Sequence, residues 1–364
     1  MNGVYAVDST SSATAHAAMY STPTSMTIAY NCGVLSLVAF GVQVLSGILI
    51  ACSYAATVEH AFGLLDECNR DSCHGWFIRV LHANSASATF ACMYFHVIRN
   101  ILLGVAVRVY AVVWSSGLLI WLFMMGVAFL GYVLPWGLMS YWALTVITNL
   151  ITVLPLVGQD VLLYCWGGYY LSKTSLQRVF VLHFVLPLVA LVMIGVHIVA
   201  LHCYGSGSNS SMPAGSTEHC MFYWYYYKDL WVISTMSFAM LWLIVLFPET
   251  LHHPDNFCYV DRNSTPAHIV PEWYFLSYYA MLRACPSKLI GVIILGTAIV
   301  TYILCLGSVS LHSHCRSRYS ACEGIIHVWI LVMLGLLGQS NPVYPYVELS
   351  GHFTIMALGI HVLL

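Results

Sequence analysis

Long stretches of apolar residues alternate with short polar ones along most of this chain. Runs near the roughly 20 residues needed to cross a hydrocarbon core lie around 32–53, 76–104, 111–136, 179–204, 230–247, 288–311, 322–338 and 346–364. Lipid offers no partner to an unpaired backbone group, whereas a helix satisfies its own. The pattern therefore predicts an all-α integral membrane protein with eight transmembrane helices, the last only just long enough. An even number of spans puts both termini on one side. Three regions are expected: a polar N-terminal arm over 1–29, a four-helix bundle over 30–205 with a helical surface segment between its third and fourth spans, and the remaining helices over 206–364 with a long loop between the fifth and sixth spans.

Composition agrees, since 60% of the 364 residues are hydrophobic and 7% charged, with a mean hydropathy of +0.81. Soluble domains carry about a quarter charged residues. No Lys or Arg precedes Arg70, so the N-terminus reads neither as an Arg-rich transit peptide nor as a secretory signal with a basic start. Insertion from the compartment of synthesis, an organelle matrix or a bacterial cytoplasm, is the expectation. Basic residues occur in loops on both sides, Arg99, Arg108, Lys228, Arg316 and Arg318 against Arg70, Arg79, Lys173, Arg178, Arg262, Arg283 and Lys288, so the excess of positive charge that normally orients a membrane protein does not decide here. The thirteen cysteines are scattered, mostly within apolar runs, where free cysteine acts as a small hydrophobe. Only Cys68 and Cys73 share a polar loop, and a disulfide there has no further support.

The chemistry rests on a repeated interval. His82 and His96 on the second span are 14 residues apart, as are His183 and His197 on the fourth. Fourteen residues at about 100° each fall within about 40° of four full turns, so each pair shares one helix face at a separation of roughly 21 Å. One span intervenes, so the two helices run in the same direction, and His82 comes level with His183 and His96 with His197. Gly33 and Gly47 on the first span, and Gly117 and Gly131 on the third, repeat the interval. A flat macrocycle between helices needs a close backbone, which glycine permits. Taken singly, a membrane histidine is a hydrogen-bonded packing residue and a glycine an ordinary helix contact; together they predict two bis-histidine haem sites stacked across the bilayer. Iron ligated on both axial faces has no open position and carries electrons. Zinc fits poorly, because ligands about 21 Å apart on one helix cannot meet.

Arg79, Arg99 and Arg178 lie within five residues of the histidines. Arginine in lipid requires a partner, and haem propionates match its planar fork; snorkelling to the interface is the alternative.

These residues resemble mitochondrial and bacterial cytochrome b, and the likeness runs over nearly all the chain from Tyr30 onward. It is carried by Gly131-Tyr132-Val133-Leu134-Pro135-Trp136-Gly137 continuing through Met139-Ser140 to Thr145-Val146-Ile147-Thr148-Asn149, by Leu81-His82-Ala83-Asn84, by Thr265-Pro266 and by Pro271-Glu272-Trp273-Tyr274. The resemblance implies the cytochrome b subunit of a quinol:cytochrome c oxidoreductase, respiratory complex III. It implies a low-potential haem b at His82/His183 near the outer surface and a high-potential haem b at His96/His197 near the inner one. A quinol-oxidising outer pocket would use Phe129, Tyr132, Ala143 and Ile147 with Glu272 and Tyr279. Glu272 stands between Pro271 and Trp273, apolar surroundings in which a carboxyl with a raised pKa can take a proton; a solvated loop carboxylate is the alternative. A quinone-reducing inner pocket would use Asn31, His202, Ser206, Lys228 and Asp229, beside an aromatic run that also reads as an interfacial belt with a surface ion pair.

The same resemblance implies ubiquinone as substrate, a Q cycle with proton translocation, and a homodimeric complex with a Rieske iron–sulfur protein, cytochrome c1 and accessory subunits. The chain has no CxxCH motif, so partners must supply that chemistry. A lipid bilayer is required and no nucleic acid is expected. The implied location is the mitochondrial inner membrane, with organelle encoding, or alternatively a bacterial plasma membrane. Ala143, Leu138 and Leu144 stand where most relatives carry Gly, Gln and Ala; the outer pocket is expected to be narrower there and to bind strobilurin-type inhibitors weakly. Tyr30 replaces the usual Trp and Asn100 the Gly after Arg99. The photosynthetic counterpart is disfavoured because it splits after the fourth helix and spaces its second histidine pair one residue wider. A haem-anchoring subunit of another dehydrogenase lacks the Pro271–Tyr274 segment, and a transporter with structural histidines would show no Soret band.

Overall fold

The computed structural model describes residues 21–24, 26–102, 111–204, 206, 219–304 and 316–363. Most of the expected N-terminal arm, and Arg108, lie outside the described residues. Long helices form where the apolar runs lie: α1 (Cys32–Ala51), α3 (Gly75–Leu102), α4 (Ala111–Val133), α7 (Lys173–Tyr204), α8 (Tyr226–Leu246), α10 (Lys288–Leu304), α11 (Arg316–Gln339) and α12 (Tyr346–Leu363). Four shorter helices join them: α2 (Ala61–Asp71), α5 (Leu138–Thr148), α6 (Gly158–Trp166) and α9 (Leu276–Arg283). The end of the arm is not free coil. Ser21–Pro23 (β1) pairs antiparallel with His219–Met221 (β2), tying it to the segment before α8.

Among the described residues, five stretches are long and apolar enough to cross a membrane: Ile28–Ala51, Val112–Val133, Lys173–Cys203, Tyr226–Leu246 and Cys322–Gln339. The remaining long helices fall short for visible reasons. Helix α3 carries Arg79, His82, Asn84, His96 and Arg99, α10 has 17 residues, and α12 includes Glu348 and His352. Only 11% of the apolar window in α7 is buried inside the chain, and its face of Val181, Phe184, Leu188, Val192 and Val196 is exposed. An apolar face of that extent requires lipid or another subunit.

Within the first four long helices α1 packs against α3 and α4 against α7. A buried cluster of Phe40, Phe90, Met124, Ala190 and Tyr274 joins these pairs to the segment before α9. A second, of Val133, Trp136, Leu144, Leu171, Leu176 and Val179, closes one end of the bundle. Helices α9, α11 and α12 gather around Tyr278, Met281, Ile330 and Leu334. There Arg283 caps α11, its Nη2 donating to the carbonyls of Leu337 and, at 2.6 Å, Ser340. Cys68 and Cys73 are free thiols.

Candidate functional site

The 14-residue spacing does what helix geometry requires. The His82 and His183 rings, from α3 and α7, face each other with centroids 6.4 Å apart and planes at 89°. A metal–imidazole nitrogen bond is about 2.0–2.1 Å, and the ring centre lies about 1.1 Å beyond the nitrogen, so two imidazoles on opposite faces of one ion stand about 6.3 Å apart. The separation fits one metal ion. His96 and His197 line one cavity together. Among the described residues no set of three His, Cys or carboxylate groups forms a metal cluster. Two imidazoles alone do not satisfy a bare ion, so the fitting group is one that brings its own equatorial ligands, as haem does.

The tautomers are set by neighbours. His183 Nδ1 lies 2.9 Å from the Val127 carbonyl, His82 Nδ1 2.9 Å from Ser46 Oγ and His197 Nδ1 2.9 Å from Ser116 Oγ. Engaging Nδ1 leaves Nε2 as the metal-facing nitrogen, the arrangement in which a ligating imidazole is held by its other ring N–H. Gln43 Nε2 secures the same region, donating to the His82 carbonyl at 2.5 Å and to Ser85 Oγ at 2.8 Å.

All four period-sharing glycines lie against the histidines. A Cβ on Gly33 would stand 3.2 Å from His96 Cε1, on Gly47 3.0 Å from His82 Cε1, on Gly117 3.0 Å from His197 Cε1 and on Gly131 2.5 Å from His183 Cε1. The sequence suggests room for a macrocycle; the contact found here is with the imidazole itself. The reason is the pairing of α1 with α3 and of α4 with α7, which sets each glycine across from a ring on its partner helix.

The arginines take three different positions. Arg99 lies over the Tyr30 ring at 4.3 Å and its Nη2 donates to Asn100 Oδ1, while its Nε is buried without a partner among the described residues, which suits an anionic group. The Tyr30 and Asn100 departures thus meet at one arginine. Arg79 stands 5.8 Å from the Phe257 ring. Arg178 is engaged by the chain, donating to the Tyr164 carbonyl and, at 3.4 Å, to that of Cys165.

At the His96/His197 end a cavity of about 560 Å³ is lined by Asn31, His202, Ser206, Lys228 and Asp229 together with Gly33, Arg99 and Gly117. Five residues drawn from distant parts of the sequence are thus brought together. Lys228 and Asp229 do not pair with each other. Lys228 Nζ donates to the Met26 carbonyl at 2.8 Å, and Asn31 Nδ2 donates to Asp229 Oδ1.

At the His82/His183 end Glu272 immediately precedes a short helical turn, Trp273–Phe275, makes no side-chain cap to it, and has no ion pair among the described residues. Burial pushes its carboxyl up to about 7. Tyr132 and Glu272 lie within electrostatic reach of Tyr274, whose hydroxyl burial raises well above its ordinary range. The turn is fixed from behind: Phe90 stacks on Tyr274 at 4.1 Å, Tyr94 donates to the Tyr274 carbonyl at 2.5 Å, and Trp273 Nε1 donates to Ser87 Oγ at 3.1 Å. Tyr279 donates to the Ile269 carbonyl at 3.2 Å, which occupies its hydroxyl hydrogen. Phe129 packs against the cluster of Val133, Trp136 and Leu144, and Ala143 and Ile147 stand one turn apart on α5. Trp136, at φ 55°, turns the chain so that Leu138 N–H reaches the Cys258 carbonyl at 2.9 Å, joining α5 to the loop that leads to Glu272.

Ser46, Ser116 and the Val127 carbonyl are the groups that composition and period do not single out. One signal existed for the serines: each immediately precedes one of the four glycines.

Comparison with known proteins agrees with this geometry. Residues 17–205 match the family model "Cytochrome b/b6/petB" and residues 259–358 match "Cytochrome b(C-terminal)/b6/petD". The chain is 38% identical to a cytochrome b of Dictyostelium discoideum over 350 residues, 94% of this chain and 89% of that one. It is 37% identical to a cytochrome b of Rickettsia prowazekii over 358 residues, 96% of this chain and 88% of that one. A solved structure titled "Hyperthermophilic respiratory Complex III" superposes with a TM-score of 0.86 at 25% identity, covering 94% of this chain and 92% of that one. The chain belongs to the cytochrome b family.

Proposed function

We propose that this protein is the cytochrome b of a complex III-like quinol:cytochrome c oxidoreductase, with all eight long helices crossing the bilayer and the first four holding two haems b. The observation that carries it is the placement of the His82 and His183 rings with centroids 6.4 Å apart and planes at 89°, with His96 and His197 together at the next level. His82 and His183 would hold one haem and His96 and His197 the other, with Arg79, Arg99 and Arg178 toward the carboxylates. When bound, the two haems supply a one-electron relay across the membrane, coupling quinol oxidation at one end to quinone reduction at the other and to proton translocation.

The protein's own residues handle substrate and protons. At the outer end Glu272, near neutral pKa, accepts a quinol proton, and Tyr132, Phe129, Ala143, Ile147 and Tyr279 shape and orient the pocket. Toward the inner end Asn31, His202, Ser206, Lys228 and Asp229 bind quinone and deliver protons to it. Ubiquinone, a Rieske iron–sulfur protein, cytochrome c1, accessory subunits and a second copy of the complex complete the proposal. The membrane is the mitochondrial inner membrane, with a bacterial plasma membrane as the alternative, and relatives from Dictyostelium and Rickettsia accord with both. The test is a reduced-minus-oxidised spectrum of the purified complex. Two b-type components are expected; an oxidised and reduced pair without a b-band overturns the proposal.

A further inference from the structure

The four imidazoles are not held alike. Ser46 Oγ lies 2.9 Å from His82 Nδ1 and spends its own proton on the Val42 carbonyl at 2.6 Å. Ser116 Oγ likewise lies 2.9 Å from His197 Nδ1 and donates to the Val113 carbonyl at 3.0 Å. With its hydrogen directed to a carbonyl, each hydroxyl is left to accept from Nδ1–H. The Val127 carbonyl does the same for His183. His96 Nδ1 is buried and has no hydrogen-bond partner among the described residues.

The exception has a local cause. Cys32 precedes Gly33 as Ser46 precedes Gly47 and Ser116 precedes Gly117. The rings sit alike: a Cβ would lie 3.2 and 3.5 Å from Cε1 and Nδ1 at Gly33, 3.0 and 3.5 Å at Gly47, and 3.0 and 3.6 Å at Gly117. A hydroxyl at position 32 would therefore reach Nδ1 as the two serines do. The backbone gives no substitute, because Cys32 is the first residue of α1 and the turn before it, Ile28–Asn31, is a 3-10 helix.

We propose that a hydroxyl on the residue before a cradle glycine tunes redox potential by positioning the imidazole proton, and that Cys32, by leaving His96 Nδ1–H unbound, raises the potential of the haem at His96/His197 relative to that at His82/His183. An acceptor on Nδ1–H gives the ring imidazolate character, strengthens Nε2 as a donor and favours ferric iron. One site has two such acceptors and the other has one. The inference rests on the two-haem reading above.

The test is an optical redox titration of both b-type components in the assembled complex in membranes, with Cys32→Ser, Cys32→Ala, Ser116→Ala and Ser46→Ala. Cys32→Ser is expected to shift the reduced-to-oxidised ratio of the His96/His197 component about tenfold toward oxidised, ~59 mV for one electron. Ser116→Ala shifts the same component the opposite way, Ser46→Ala raises only the other, and Cys32→Ala leaves both in place. Unmoved midpoints in Cys32→Ser with both bands at full strength overturn the inference. If Cys32→Ser does not assemble, unmoved midpoints in Ser116→Ala and Ser46→Ala overturn it equally. Absence of two b-bands in the unsubstituted complex is a different outcome, and sinks the haem reading itself.

Discussion

The two ends of the histidine bundle are built differently. At the His82/His183 end the chain closes on itself, with Val133, Trp136, Leu144, Leu171 and Leu176 fully packed and a single carboxyl, Glu272, in surroundings dry enough to lift its pKa to about 7. The His96/His197 end opens into a cavity of about 560 Å³ whose charged groups are tethered, Lys228 to a backbone carbonyl and Asp229 to Asn31. The acid at the closed end stands without an ion pair among the described residues, whereas hydrogen bonds hold both charged groups at the open one. Loss of packing should therefore be felt most at the first end and loss of a tether at the second.

The largest effect is expected from the ligands and the glycine facing them. His183→Leu should remove one of two b-type components and abolish turnover, read from the reduced-minus-oxidised spectrum. The glycines then grade the tolerance of each site. A methyl on Gly131 would meet His183 Cε1 at 2.5 Å, where something must shift, whereas on Gly33 it would meet His96 Cε1 at 3.2 Å. Gly131→Ala is expected to lose most of its haem component and Gly33→Ala to keep it, with Gly47→Ala and Gly117→Ala between. Equal pigment in all four variants would mean that the rings are not fixed by these contacts.

Glu272 comes next. Its folded-state pKa is raised from 4.5 to about 7, so the folded protein binds this proton more tightly than the unfolded chain does. Stability from this group is whole below about pH 4.5 and is lost as pH rises toward 7, by ~3 kcal/mol in all, with no further change above. Glu272→Gln should therefore resist thermal unfolding better than the native protein at pH 8 and equal it at pH 4. As a base Glu272 acts when ionised, so quinol oxidation should rise with pH through about 7, and Glu272→Gln should lower it about 10²-fold while flattening that limb. A pH profile identical in both proteins would remove Glu272 from proton transfer.

The histidine cradle was legible because its information is periodic. His82, His96, His183 and His197 sit at one interval, helix geometry does the rest, and the eight long helices lie where the apolar runs predict. The polar network around them was not. Ser46 and Ser116 look like any small residues in an apolar helix until the tertiary pairing of α1 with α3 and α4 with α7 shows what they face. The grouping of the residues that line the open-end cavity came from resemblance, because Asn31 and Asp229 meet across 198 positions and no local pattern connects them. The alternative of a surface ion pair between Lys228 and Asp229 is not what forms, as the strand at Ser21–Pro23 brings the Met26 carbonyl to Lys228.

The smallest effect, and the one that separates tether from proton donor at the open end, concerns Asn31 and Asp229. Asn31 Nδ2 donates to Asp229 Oδ1, and a hydrogen bond to a charged group contributes about 1.5–3 kcal/mol. Asn31→Ala should raise the apparent KM for quinone reduction about tenfold, while reduction of the first b-type component by quinol at the closed end stays within about twofold. Asp229→Asn keeps an acceptor carbonyl for Asn31 and loses only the charge. If Asp229 is chiefly a tether, Asp229→Asn should cost less than Asn31→Ala and should act on KM alone. A larger loss in Asp229→Asn, falling on kcat and deepening as pH rises, would make the carboxylate a proton donor and Asn31 its positioning residue.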